Sequence, residues 1–259
     1  MKNRLKDKLV FITGATKGIG KSTAIEYAER GANLILTGRT EELLESLKKE
    51  IEATYDVNVY ILKIDVRNSQ DVHEKIQSLP EHLQRIDILI NNAGLALGLD
   101  KIYENTIESI DTVIDTNIKG MLYITREIVP LMLKNGISGH IVNLGSVAGD
   151  AAYPGGAVYC ASKAAVKALS DGLRIDLVDT DIRVTNIKPG LVETEFSKVR
   201  FFGDEERAKN TYKGIDALTP EDVAEVIVYT TNMPSNIQLT EITLTPVHQA
   251  DGRTVYKKL

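Results

Sequence analysis

Apolar residues along the chain fall in short runs rich in branched side chains, separated by longer stretches in which they recur every three or four positions. The runs predict strands at 9–12, 33–37, 57–64, 86–90, 140–144, 183–188 and 237–244. Most of these runs are continuously hydrophobic, as strands covered on both faces should be. The intervening stretches predict helices with readable ends: 18–30 stops at Gly31, Thr219 caps a helix whose first turn holds Pro220, and long helices cover 106–134 and 156–178. Strands alternating with helices imply repeated βαβ units, so the expected fold is α/β, a doubly wound sheet of seven parallel strands. No linker, low-complexity tract or internal repeat interrupts the pattern, and 1–259 reads as a single domain. Residues 193–216 fit no strand and carry mixed charge with Phe201 and Phe202, which suggests a substrate lid. The polar, basic tail at 246–259 is either frayed or docked on another subunit.

Composition narrows the function classes. The chain has 259 residues, is 43% hydrophobic and 26% charged, and has a formal net charge of -5. Those values exclude the disordered regime, and an acidic balance without a basic block argues against nucleic acid as a partner. No apolar run approaches the roughly 18 residues that span a bilayer, and the start lacks a signal-peptide pattern, so neither membrane nor export is expected and the protein should be cytoplasmic. A lone Cys160 and four scattered histidines (His73, His82, His140, His248) give no disulfide framework and no metal-ligand spacing.

Candidate chemistry begins after the first strand. Thr13-Gly14-Ala15-Thr16-Lys17-Gly18-Ile19-Gly20 leads straight into a helix, so Gly14 allows a tight turn, Gly18 a close approach of backbone to a pyrophosphate, and Gly20 close packing of helix on sheet. The amides of the helix N-terminus then face the anion. At the end of the second strand, where an acid would bind a ribose 2′-hydroxyl, the chain reads Thr37-Gly38-Arg39. Arg39 and Lys17 suit a 2′-phosphate and favour NADP, although both also read as ordinary solvated surface cations. Asp65-Val66 and Asn92-Ala93-Gly94 follow the third and fourth strands and point at the same crevice, with Asp65 alternatively capping the helix that begins near Ser69.

A second group follows the fifth strand. Ser146 stands at its end, and Tyr159 and Lys163 lie four apart on a helix, hence on one face. A free phenol titrates near pH 10, too high for general acid-base work at neutrality, and an adjacent ammonium favours its ionised form. Through TGATKGIG, NNAG, Asn117, Ser146, YCASK and Pro189-Gly190 the chain resembles the short-chain dehydrogenase/reductase family over nearly its whole length. The resemblance implies a Rossmann-type fold, an NADP-dependent oxidoreductase, and Asn117, Ser146, Tyr159 and Lys163 as the catalytic set. In that scheme Tyr159 moves the proton of the substrate oxygen, Ser146 orients it, Lys163 lowers the tyrosine pKa and holds the nicotinamide ribose, and Asn117 supports a water-linked relay. Asn117 also reads as a helix-interior amide bonded to backbone. The resemblance further places the TGATKGIG residues, Pro189, Gly190, Val192 and Thr194 against the cofactor.

NNAGLALG, AAYPGGAVYCASK, KPGLVETEFSKVRFFG and TPVHQ resemble the group of NADP-dependent 3-hydroxy acid dehydrogenases that act on serine, allo-threonine and related acids, some of which reduce malonic semialdehyde. Such a small-molecule substrate carries a carboxylate, for which Arg200 is the first candidate and Lys198 the second; a surface ion pair with Glu193 or Glu195 is the plainer alternative for either. A 3-oxoacyl-carrier-protein reductase or another short-chain carbonyl reductase shares the catalytic set, and an NADP-binding sensor or scaffold would share the fold. Family likeness also implies a homotetramer packed through the helices at 106–134 and 156–178.

Overall fold

A strand with helices on both faces is buried at every position and therefore mostly apolar, and β1 (Leu9–Ile12), β4 (Ile88–Asn91) and β5 (His140–Leu144) are buried throughout, with Asn91, His140 and Asn143 as their polar members. In the computed structural model, which describes residues 2–258, these join β2 (Asn33–Gly38), β3 (Val59–Lys63), β6 (Arg183–Pro189) and β7 (Glu241–Leu244). All pair in parallel, in the order β3-β2-β1-β4-β5-β6-β7. Alternate residues of each strand serve opposite cores. Val10, Ile12, Leu34 and Leu36 pack with α1 (Gly18–Glu29), α2 (Glu41–Thr54) and α9 (Pro220–Thr231). Phe11, Ile35, Leu89 and Ile141 pack with α3 (Ser69–Gln77) and α5 (Met121–Lys134), while α6 (Ala157–Asp176) lends Leu173 to that second core. Chain order reverses between β1 and β4, and the crevice outside the carboxyl ends of the strands at such a reversal is where a doubly wound sheet binds ligands.

Beyond shifts of one or two residues at the ends of other elements, three readings of the sequence differ from the structure. The run at 237–244 pairs only from Glu241, because Ile237 donates its amide to the Pro234 carbonyl at 2.9 Å and closes a turn first. The stretch 106–134 is not one regular helix: α4 (Ile107–Ile114) passes through a wide i→i+5 turn, Asp115–Gly120, into α5. Residues 193–216 hold two short helices, α7 (Phe196–Arg200) and α8 (Glu205–Tyr212). The tail is not frayed either. It folds back on its own chain, with Tyr256 N bonded to His248 O at 2.9 Å and Lys258 N to Gly214 O at 2.8 Å.

Candidate active site

One cavity of about 730 Å³ runs along the carboxyl ends of the strands from Arg39 and Asp65 to Arg200. Its first end is made largely of backbone. Gly14 has φ +64, and a Cβ there would come 3.0 Å from Ala93 Cα. Gly20 lies behind the wall rather than on it, where a Cβ would collide with the Gly14 carbonyl oxygen. The loop is clamped from β4: the Thr13 hydroxyl accepts the amides of Asn92 and Ala93, each at 3.0 Å, and Asn92 Nδ2 donates to Thr13 O at 2.9 Å and Gly14 O at 3.0 Å. Asn92 thus holds the glycine loop with the amide that the sequence assigned to cofactor. Thr16, Lys17, Gly18, Ile19 and Ala93 line the cavity beside it, with Gly94 further in. Across the cleft, a Cβ on Gly18 would sit 3.4 Å from the Thr194 side chain.

Lys17 and Arg39 are exposed at this end, and neither side chain has a hydrogen bond or ion pair among the described residues. Asp65 is not a competing acid. Arg67 grips its carboxylate with Nε at 3.0 Å and Nη2 at 2.6 Å, and those bonds hold Asp65 below the usual carboxylate range. Nor does Asp65 cap α3: Asn68 does, accepting from Gln70 N at 3.0 Å and Asp71 N at 3.2 Å. A loop with no room for side chains at Gly14 and Gly20, beside two cations with no side-chain partner among the described residues, fits a dinucleotide bearing a 2′-phosphate.

At the second end, β5 delivers Ser146 and α6 delivers Tyr159 and Lys163 to the cavity wall. Ser146 Oγ donates to Pro189 O at 3.3 Å and accepts the Ala148 amide at 3.1 Å. Lys163 is buried, gives its Nζ to Leu144 O at 2.6 Å, and lies 5.8 Å from the Tyr159 ring centre. Asn117, carried by the wide turn, stands behind the wall. Its Oδ1 accepts the Leu95 amide at 2.9 Å, while Nδ2 donates to Leu95 O at 2.8 Å and to Ser162 Oγ at 2.9 Å. Ser162 in turn donates to the Tyr159 carbonyl at 2.7 Å, so Asn117 braces the helix turn that aims the phenol.

The expected depression of the Tyr159 pKa by Lys163 does not hold in this structure. Burial dominates and raises it, with Tyr153 adding to the rise; hydrogen bonding to Ser146 and the Arg200 charge oppose it. Lys163 is turned to a carbonyl, and burial lowers its own pKa to about 8. At pH 7 that ammonium remains mainly charged.

Arg200 reaches this end from α7. Its Nε donates to Gly98 O at 3.1 Å and its Nη1 to the Tyr153 hydroxyl at 2.9 Å, with the guanidinium 5.8 Å from the Tyr159 ring centre. It pairs with neither Glu193 nor Glu195. Lys198, the second candidate, does the opposite: it turns to Glu195 and Glu205, each at 3.5 Å, and is not on the cavity wall. Phe196 closes edge-on over Tyr159 at 5.6 Å between centres. Pro189, Gly190, Val192 and Thr194 line the floor. Sequence reasoning missed Arg67, Tyr153, Phe196, Ser162 and Gln249. Arg67 carried a local signal, a cation two residues beyond a strand-end acid, and the other four lie within the stretches that carry the family resemblance.

A parallel sheet with this reversal, a glycine-walled cleft, and a serine, tyrosine and lysine converging on its far end define a dinucleotide-dependent oxidoreductase. The family model for short chain dehydrogenases matches residues 8–203, and the chain belongs to that family. Among curated relatives, an NADP-dependent 3-hydroxy acid dehydrogenase of Schizosaccharomyces pombe is 44% identical over 257 residues, 99% of each chain. Sulfoacetaldehyde reductase 2 of Chromohalobacter salexigens is 43% identical over 242 residues, 93% of this chain and 95% of the relative. A solved closed form of serine dehydrogenase complexed with NADP+ superposes with a TM-score of 0.90 at 44% identity, covering 96% of this chain and all of its own.

Proposed function

We propose that the protein is an NADP-dependent oxidoreductase that interconverts small 3-hydroxy acids and 3-oxo acids, of the serine, allo-threonine and 3-hydroxypropionate/malonic semialdehyde type. The observation that carries this reading is Arg200, a lid cation on the cavity wall within 5.8 Å of the Tyr159 ring centre. A carboxylate bound there would leave the reacting oxygen of a three-carbon acid near the phenol. The cofactor, when bound, supplies or accepts the hydride. Gly14, Thr16, Gly18, Ile19 and Thr194 would flank its pyrophosphate, Lys17 and Arg39 its 2′-phosphate, Asp65 and Val66 its adenine, and Ala93, Gly94, Pro189, Gly190 and Val192 its nicotinamide half. Tyr159 Oη gives a proton to the substrate oxygen in reduction and takes it in oxidation, Ser146 Oγ orients that oxygen, and Lys163 holds positive charge on the cavity wall where it would meet the nicotinamide ribose. The segment 193–216 serves as the lid. A cytoplasmic homotetramer is part of the same reading, with the exposed Ile107, Leu122, Ile175 and Val178 available to cover one another between copies.

Initial rates with NADP and NAD across serine, allo-threonine, 3-hydroxyisobutyrate and 3-hydroxypropionate test the reading. Arg200→Met should raise the substrate KM by about tenfold or more, the loss of a charged hydrogen bond, and leave NADP affinity unchanged. Equal substrate KM values for the two proteins would remove Arg200 from the site.

A further inference from the structure

The tail holds a buried polar side chain that the chemistry above does not use. Gln249 is 5% exposed, and both ends of its amide are bonded to backbone: Oε1 accepts the Leu191 N–H at 2.8 Å, and Nε2 donates to Asp251 O at 2.9 Å. Its neighbours on the cavity floor are bonded otherwise. Gly190 N goes to Leu244 O at 2.8 Å, Glu193 N goes to Leu218 O at 2.8 Å, and Leu191 O accepts from Leu218 N at 3.0 Å. That leaves the Leu191 N–H to the tail. Gly190 makes room for the contact, since a Cβ there would collide with Gln249 Oε1. The same floor carries the Pro189 carbonyl that takes the Ser146 hydroxyl at 3.3 Å. Beyond Gln249 the tail runs along the cavity wall through Gly252 and Arg253, and a Cβ on Gly252 would lie 3.4 Å from Val147 O in the turn after Ser146.

We infer that Gln249 is a positioning residue: by holding the Leu191 N–H it fixes the strip Pro189-Gly190-Leu191 that forms the nicotinamide-side floor and the acceptor for Ser146. The inference rests on the reading of the cavity as a dinucleotide site with its nicotinamide half at this end. Without the Gln249 oxygen, a partly buried N–H loses its partner, and the strip gains freedom to turn that N–H elsewhere. The adenosine end, built from β1, β2 and the glycine loop, shares no hydrogen bond with Gln249 and should not respond.

The test measures binding to the full-length protein of NADPH, by its fluorescence, and of 2′,5′-ADP, which carries the adenosine and 2′-phosphate without the nicotinamide half, by calorimetry. Gln249→Leu should weaken NADPH by about tenfold while leaving 2′,5′-ADP as in the unaltered protein. Gln249→Glu keeps an acceptor for Leu191 but turns a second carboxylate oxygen on Asp251 O in place of the donor, so its NADPH affinity should fall between those of the unaltered protein and the leucine variant; Gln249→Met, which lacks the acceptor as leucine does, stands in should the leucine variant fail to fold. An NADPH affinity unchanged in the leucine or methionine variant overturns the inference. So does an equal loss of 2′,5′-ADP, which marks a general structural defect. Should the unaltered protein bind NADH in preference to NADPH, the NADP assignment fails by itself, and Gln249 is then judged on NADH against 5′-AMP with the same two outcomes.

Discussion

At the glycine-loop end of the cavity the walls are backbone and small side chains from two adjacent strand ends, held by Thr13 and Asn92. At the Arg200 end they are long side chains from α7, from the segment before α6 and from the tail, joined across separations such as the 102 residues between Arg200 and Gly98. The first end is defined by what cannot be there, a side chain at Gly14 or Gly20. The second is defined by what has been brought there. A cleft made by omission recognises what its ligands share, a phosphate chain, whereas one made by assembly can be re-equipped for a different acid without disturbing the sheet. The cations of the two ends differ likewise: the Lys17 and Arg39 side chains have no hydrogen bond or ion pair among the described residues, while Arg200 is already bonded to a carbonyl and a phenol, which a carboxylate bound there would have to share or displace.

The largest effect expected from breaking one end alone is that of Tyr159→Phe. Losing the general acid-base should cut kcat by about a hundred- to ten-thousand-fold, and NADPH titration should give an unaltered Kd. Near-normal turnover of malonic semialdehyde by the variant would end the assignment of Tyr159. At the other end, Arg39→Ser should lower the preference for NADP over NAD by about tenfold, read from kcat/KM with each cofactor, and leave substrate KM alone. An unchanged ratio would show that Lys17 suffices.

The smallest effect belongs to a site that touches neither end. Buried His140 donates through Nε2 to Thr185 Oγ1 at 2.8 Å, since the Thr185 hydroxyl itself donates to Leu239 O at 2.6 Å; Nδ1 has no partner among the described residues. Burial, with the Arg183 charge adding, lowers its pKa from 6.5 to about 3. Between those values the unfolded chain binds a proton that the folded one refuses. Stability therefore falls as the pH drops through that window, by at most about 1.4 kcal/mol per pH unit from this group. His140→Gln keeps a donor for Thr185 and should flatten that slope in urea unfolding between pH 6.5 and pH 4.5. Parallel slopes would exclude His140 as the titrating group.

Legibility in the sequence followed the same division. Glycine spacing, the strand before it and the cations after it are local, so the first end could be read directly, apart from the use of Asn92 as a clamp. Tyr159 and Lys163 were readable because four residues on a helix fix a shared face. Their electrostatics were not, because the rise in the Tyr159 pKa comes from burial, to which Phe196 of α7 contributes, and from Tyr153. The tail defeated the reading for a related reason: its polar composition describes an exposed strand of chain, yet Gln249 and the Lys258 amide find partners 58 and 44 residues away. The edge strand β7 came out too long because Ile237 and Leu239 look like strand residues and belong to the approach.

The wide turn at Asp115–Gly120 has a genetic corollary. Such a turn accommodates one residue more than a regular helical path requires. A single-codon deletion there would restore ordinary winding and leave α4 and α5 facing as they do now, so the extra residue serves the turn itself and not the helices around it. The cost would fall on the widening itself, which carries Asn117 to Leu95, while Val113 kept its buried place. A deletion within this stretch should therefore spare the packing of the two helices and spend its effect on the brace behind Tyr159.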